Sequence, residues 1–447
     1  MRFTVMLGTK AMLAAAIVLG LTAIILLGGT DASTSVAPAA TAAPASSSSA
    51  STGPVSVPGS TSGTSGTTAA ASTASASTTA TTNTASTATT AGTTAGTTAG
   101  TTSGSTSTTT SARKPVFVIY YLWWSANHWR DRLGSNYPTG RTPAPLPASL
   151  DTTGCGTHSL YAGNKLTDVA ASGGYDQSSS ATIERDVRLA ASTGIKGFAV
   201  NWNGTGTSGQ TVSSSSANRA LQYVFDAVHK VNAAGIPFKL MLNYKASATK
   251  LSTTAINGDM AYFTAHYGSD PAMDHSYSAH PEMIWAGSWK YSSTELATVS
   301  HAFRSKLYLI GDEKPSTWNA SRAAQLDGAS YYWSSQDPWG NPQSFAQLRT
   351  LANAVHAGTN PDGRKKTWLA PFTPGYNAQL LYGTSTCVQR RNGQTMHALF
   401  QGNKASNPDG WTFISWNEIA EGSYIVPLTR YGQTYTNALK SVITNNG

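Results

Sequence analysis

Gly410-Trp411-Thr412-Phe413-Ile414-Ser415-Trp416-Asn417-Glu418-Ile419-Ala420-Glu421-Gly422-Ser423-Tyr424-Ile425 is the stretch that decides how this chain is read. A short apolar-rich run ends in Trp416-Asn417, and Glu418 and Glu421 follow at a spacing of three. Apolar residues of this kind bury a strand. Carboxylates directly after it are costly to bury without a partner or a task. If the strand closes a barrel, both glutamates stand at the rim where such barrels carry their chemistry.

Working outward, the chain upstream alternates between strands and helices. Residues 116–124 form a continuous apolar run, the pattern of a strand buried on both faces. Helical spacing predicts helices over 183–190, 217–234, 259–267, 295–306, 320–326, 345–356, 395–401 and 435–442. Between them, strands are predicted at 196–202, 238–244, 282–286, 307–312, 329–334 and 367–372, and the opening stretch becomes the eighth. Eight strand–helix units predict an α/β fold, a closed (β/α)8 TIM barrel. An open doubly wound sheet would want a Gly-rich phosphate turn after the first strand, and Trp123-Trp124 stand there instead.

Three regions are expected along the chain. In residues 1–30, Arg2 and Lys10 precede an apolar run, the order of a signal peptide or a signal anchor in the membrane. Either one places the remainder of the chain outside the cell, so the protein is expected to be extracellular, secreted or anchored. Residues 31–113 are a Ser/Thr/Ala/Gly-rich linker. Its stretch 33–112 has no charged and no aromatic residue. Such a segment buries too little apolar surface to offset its chain entropy and is expected to be a disordered stalk, O-glycosylated or bare. Residues 114–447 are the barrel, expected to be monomeric.

The net charge is +9, but the bases are scattered, with clusters only at Arg364-Lys365-Lys366 and Arg390-Arg391. No nucleic-acid motif is present, so a cell surface or polysaccharide is the better partner. No metal-ligand spacing and no Gly-x-Ser-x-Gly elbow occurs, so no metal, no cofactor and no serine nucleophile are expected. The chain has two cysteines, Cys155 and Cys387. They fall in loops after the first and seventh strands, neighbours across the eighth, and are expected to be bridged.

Barrel sites are built from the loops at the C-terminal ends of the strands. These ends hold Trp123, Trp124, His128 and Trp129 after strand one, Trp202 and Asn203 after two, and Asn243, Tyr244 and Lys245 after three. Trp285 and Trp289 follow strand four, Asp312 and Glu313 five, Trp333 and Asp337 six, and Tyr376 and Asn377 seven. Indoles, phenols, amides and carboxylates suit sugar rings, which offer apolar faces ringed by hydroxyls. Tyr120, Phe198 and Phe413, inside strands, are read as packing. Most glycosidases use two carboxyl groups, one protonated and one ionised. Glu418 and Glu421 can face the same way if a helical turn begins at Ile419, and their proximity would push their pKa values apart. Asp312 and Glu313 are the other acidic pair, open to orienting substrate, acting as nucleophile or forming a salt bridge.

The segment Ser415-Trp416-Asn417-Glu418-Ile419-Ala420-Glu421-Gly422-Ser423-Tyr424-Ile425 resembles the strand-eight signature of glycoside hydrolase family 99, the endo-α-mannosidase group. It is almost as similar to that of family 71, the α-1,3-glucanases. The aromatic first strand ending near His128-Trp129 and the strand opening Ile195-Lys196-Gly197-Phe198 are similar too. The resemblance implies a (β/α)8 barrel acting on α-linked glycans, with Glu418 as base on the sugar 2-hydroxyl and Glu421 as acid on the leaving oxygen. Trp416, Asn417 and Tyr424 join the candidate substrate-binding residues. Family 71 usually has Asp at the first position, so Glu418 leans toward family 99. Ile419-Ala420 and Val426 depart from the pattern. The expected function is an extracellular, retaining-type glycosidase cleaving α-mannan or α-1,3-glucan. The alternative is a barrel that binds glycan at the cell surface without cleaving it.

Overall fold

The computed structural model describes residues 113–125, 128, 153–157, 175–205, 214–245 and 250–446. The N-terminal segment, the stalk and Trp129 lie outside the described residues. The folded chain runs β1 (Val116–Tyr121), α1 (Ser180–Ser192), β2 (Gly197–Trp202), α2 (Ser214–Ala233), β3 (Lys239–Lys245), α3 (Thr253–Tyr267), β4 (Glu282–Ala286), α4 (Ser293–Phe303), β5 (Tyr308–Asp312), α5 (Ala320–Ala323) and β6 (Gly328–Ser330). It continues through α6 (Ser344–His356), β7 (Thr367–Phe372), β8 (Tyr376–Asn377), α7 (Gln379–Tyr382), β9 (Cys387–Val388), α8 (Gln394–Asn403), β10 (Gly410–Phe413) and α9 (Thr434–Asn446). Eight parallel strands close a barrel in the order β1-β10-β7-β6-β5-β4-β3-β2. β10 is therefore the eighth barrel strand and pairs with β1 in the register Val116↔Trp411 to Val118↔Phe413.

The strands are buried on both faces, which is why they read as unbroken apolar runs. Their side chains alternate strictly. Val118, Tyr120, Phe198, Val200, Leu240, Leu242, Trp285, Phe372 and Phe413 belong to the layer between barrel and helices. Phe117, Ile119, Tyr121, Ala199, Met241, Ile284, Ile310 and Ile414 fill the barrel interior. This period of two decides which residues at each strand end reach the mouth.

Several elements differ from their predicted bounds. α3 begins at Thr253, because the Ser252 side chain caps it by accepting the Ala255 N–H at 3.2 Å. β6 is only three residues long, and the chain leaves the sheet before Tyr331. The short antiparallel pair β8–β9 was not predicted. It carries Cys387, which is bonded to Cys155 with a Cα–Cα separation of 5.7 Å. The bridge joins the segment 153–157 to the segment after β7, as the order of strands requires. Closing a loop of 232 residues restricts the unfolded chain by about 5 kcal/mol on chain-entropy grounds. Among the described residues, no helix is long and apolar enough to cross a membrane.

Candidate active site

The segment after β10 is fixed by its own backbone and by β1. Asn417 is fully buried. Its Oδ1 accepts the Tyr121 N–H at 2.8 Å, and its Nδ2 donates to the Tyr121 carbonyl and the Tyr175 hydroxyl, both at 2.9 Å. Tyr175 in turn donates to Asp186 on α1. The Glu418 N–H is held by Ser415 Oγ at 2.8 Å, and the Ser415 N–H by the Ser423 carbonyl at 2.8 Å. Ile419 begins a single turn that does not continue into a helix. Residues 419–422 form a turn closed by Gly422 N–H on the Ile419 carbonyl at 3.2 Å, with Gly422 at φ +62°. Glycine takes that left-handed conformation without a Cβ penalty. The turn still presents both glutamates to the barrel mouth.

A second layer holds the turn from behind. Arg390 is fully buried and donates to the Gly422 and Tyr424 carbonyls, both at 2.8 Å. Its guanidinium lies over the rings of Tyr424, Tyr431 and Tyr435 at 4.5–4.7 Å. Asn377 donates its N–H to the Glu421 carbonyl at 2.7 Å and its side-chain amide to the Gly154 and Gly156 carbonyls. The disulfide-linked segments thus buttress the glutamate turn directly.

Both glutamates are buried, at 4% and 5% exposure. Burial, first, and the neighbouring Glu418 charge, second, push the Glu421 carboxyl up to about 8. Lys245 and the Tyr382 hydroxyl, which donates to Glu421 at 3.1 Å, hold it down in part. At neutral pH Glu421 is therefore a protonated acid beside a second carboxyl group. That is the arrangement two-carboxylate chemistry requires.

The mouth around them is lined by the inward-facing residues of the barrel. Tyr121, Asn201, Asn243 and Ile284 lie in one register row across β1 to β4. Trp123 stacks on Tyr121 at 4.4 Å, and Lys245 stands over the Trp123 ring at 5.0 Å. The Tyr121 hydroxyl donates to that of Tyr332 at 2.8 Å. Five buried polar atoms here have no hydrogen-bond partner among the described residues: Trp123 Nε1, Asn201 Oδ1, Asn203 Oδ1, Asn243 Oδ1 and Glu421 Oε2. Buried polar groups are normally paired, so a concentration of unpaired ones at a barrel mouth fits a ligand rich in hydroxyls. Among the described residues, no group of three or more His, Cys, Asp or Glu is placed to hold a metal ion.

Among solved structures, the chain is similar to the GH99 endo-α-mannosidase from Bacteroides thetaiotaomicron. In each of two structures, one in complex with bis-tris-propane, the identity is 16% and the TM-score 0.55. The similarity covers 74% of this chain and 96–97% of that one. The chain has the family 99 fold. A second similar structure is a glycoside hydrolase-like protein, at 13% identity and a TM-score of 0.50, over 62% of this chain and 89% of that one. No family model and no curated protein matches the sequence.

Within this family 99 fold the predicted site residues divide by strand parity. Trp123, Asn203, Asn243 and Asp312 lie on the inward row, with Glu418 and Glu421 at its rim. Asp312 accepts the N–H groups of Gly287 and Tyr332, both at 2.8 Å, and ties the β4, β5 and β6 rims together. Trp124, Trp202, Tyr244, Trp416 and Tyr424 belong instead to the outer layer. The Trp124 indole donates to the Asn417 carbonyl, that of Trp202 to Asn218, and the Tyr244 hydroxyl to Asp259. Trp333 packs against the same layer, beside Tyr331 at 5.2 Å. His128 lies edge-on to Trp124 at 4.9 Å. Glu313 is fully buried and held by Arg322, Ser288 and Thr317, so of its predicted alternatives the salt bridge is the one observed. Asn417 is buried beneath the glutamates and faces β1 rather than the mouth. Lys245, named at the end of strand three, faces the mouth, as do Asn201, Tyr121, Tyr332 and Tyr382, which the strand ends did not mark. Asn243 and Lys245 share one parity in β3, and that polar repeat is the signal that marks Lys245.

Proposed function

We propose that this barrel hydrolyses α-linked glycan, with Glu421 as the acid that protonates the leaving oxygen and Glu418 as its ionised partner. The observation that carries the reading is the buried Glu421 carboxyl, raised to about 8 beside Glu418, in a mouth of unpaired amides and an indole. A protonated carboxylic acid at neutral pH has the driving force to protonate a glycosidic oxygen. In the assignment drawn from the sequence motif, Glu418 takes the proton of the sugar 2-hydroxyl. The glycan is of the α-mannan or α-1,3-glucan type. The bridge between Cys155 and Cys387 supports an oxidising compartment, in keeping with an exported chain whose apolar N-terminus is a signal or an anchor.

The leaving group separates the two roles. With Glu421→Gln, hydrolysis of polysaccharide is expected to fall about a hundred-fold or more, the size of a general-acid contribution. A dinitrophenyl α-glycoside, whose leaving group needs no proton, is expected to keep most of its rate. Glu418→Gln is expected to lose both. A Glu421→Gln protein that loses both substrates equally contradicts the assignment. The unpaired Asn201, Asn203 and Asn243 oxygens would serve a binding barrel as well as an enzyme. Wild type that binds α-glycans but releases no reducing ends would favour that second reading.

A further inference from the structure

Two lysines stand at the mouth. Lys245 ends β3, and its Cα pairs in register with Ala286 at the end of β4. Directly after Ala286 the chain turns at Gly287, φ +72°, into the short turn that carries Lys290. The Lys290 side chain folds back over that turn, with Nζ 3.9 Å from the position a Gly287 Cβ would take. Its amine therefore lies over the residue next to Lys245's register partner. Neither amine makes a hydrogen bond or an ion pair among the described residues. Both side chains are half-buried. Lys245 rests over Trp123 at 5.0 Å and Lys290 over Trp289 at 5.3 Å. Lys314 adds a third ammonium over the Trp289 ring at 3.6 Å.

Half-buried ammonium groups repel one another and are costly to desolvate. Both effects act on Lys245: burial lowers its pKa most, and Lys290 lowers it further. Glu418 and Glu421, each acting more strongly than Lys290, and Asp312 oppose them. Glu421 is protonated at neutral pH, which leaves Glu418 and Asp312, the latter accepting the Gly287 and Tyr332 N–H groups, as the counter-charges. Among the described residues, three ammonium groups, Lys245, Lys290 and Lys314, thus meet two carboxylates at this rim. A small anion between the two amines would relieve their repulsion and gain charge-assisted hydrogen bonds. The flanking Trp123 and Trp289 rings would take the apolar face of the sugar that bears it.

We propose that Lys245 and Lys290 form an anion-accepting subsite, and that the glycan this barrel takes carries a carboxylate or sulfate substituent next to the bond at the glutamates. This rests on the glycosidase reading above and names its substrate class.

The test is binding to the full chain bearing Glu421→Gln, so that nothing is consumed. Three probes are compared: a neutral α-mannan oligosaccharide, the same oligosaccharide oxidised at C6 to the uronate, and the same sulfated at C6. At least one charged probe is expected to bind about tenfold or more tighter than the neutral one, the scale of a hydrogen bond to a charged group. That advantage is expected to shrink in high salt. Adding Lys245→Met or Lys290→Met is expected to abolish the preference, whereas Lys245→Arg keeps it. Whichever charged probe responds identifies the anion. Equal binding of charged and neutral probes, or a preference that survives both methionine variants, overturns the subsite and leaves the glycosidase reading standing. A Lys245 that acts only as counter-ion to the glutamates gives that result. Failure of all three probes to bind, together with no hydrolysis by wild type, overturns both.

Discussion

Replacing Glu282 with glutamine is expected to make the barrel more stable at neutral pH. Glu282 opens β4 at the end of the barrel away from the mouth and is fully buried. Its Oε1 accepts the Tyr277 N–H at 2.7 Å, and the Asp274 carboxyl acts on it as a neighbouring negative charge. Two neighbouring buried carboxyl groups disfavour the ionisation of both. Burial first, then the neighbouring Asp274 carboxyl, lifts Glu282 to about 10 from an ordinary value of 4.5. The sign comes from linkage. A carboxyl raised on folding leaves stability intact below the unfolded pKa and removes it progressively as pH rises toward the folded one. Between those values the loss is about 1.4 kcal/mol per pH unit, or about 3 kcal/mol at pH 7. Glutamine keeps the acceptor for the Tyr277 N–H, carries no charge beside Asp274 and does not titrate. For a domain of this size the gain at pH 7 corresponds to a rise in Tm of about 5 °C. The assay is thermal and chemical denaturation of wild type and Glu282→Gln from pH 5 to pH 9. The two proteins are expected to be nearly equal at pH 5 and to diverge steadily above it. A gap that is constant with pH, or a variant less stable at pH 8, refutes the reasoning.

Two further outcomes concern the mouth. Tyr382→Phe removes a donor that holds the Glu421 carboxyl down, so the alkaline limb of the pH–rate profile is expected to move up from about 8, by roughly one unit. A limb that stays or moves down contradicts the contact. Arg390→Met removes two hydrogen bonds to the glutamate turn from inside the tyrosine cage. It is expected to cost about 3 kcal/mol, as for a buried charged group losing its partners, and to lower kcat more than it raises KM. A variant with normal kcat shows that the turn holds itself.

How much of this was legible in the sequence differs between fold and site, and strand burial explains both. Each barrel strand is apolar on both faces, so 116–124, 196–202 and 367–372 stand out against polar surroundings and the count of eight can be read. The same two-sided burial hides the alternation that says which face turns inward. Trp123 and Trp124 look equivalent in sequence, yet one stacks on Tyr121 at the mouth and the other supports Asn417 from the helix layer. Asn243 and Tyr244 divide in the same way. The phase is recoverable only where polar residues break the run, as Asn201 does in β2, Asn243 and Lys245 in β3, and Asp312 in β5. Arg390 and Tyr382 were harder to find. They reach the glutamates from the segment after β9 and from α7, short stretches that carry no periodic signal. Glu418 and Glu421 were legible because two acids after a buried strand are chemically conspicuous, although a turn rather than a helix brings them together.

The central claim is that the two glutamates form a working acid–base pair. The most direct measurement is reducing-end release from α-mannan and α-1,3-glucan by wild type, Glu418→Gln and Glu421→Gln, with folding checked by circular dichroism. The account predicts an active wild type, and two folded variants each reduced about a hundred-fold or more. A folded variant that keeps more than roughly a tenth of the wild-type rate, at either position, contradicts it.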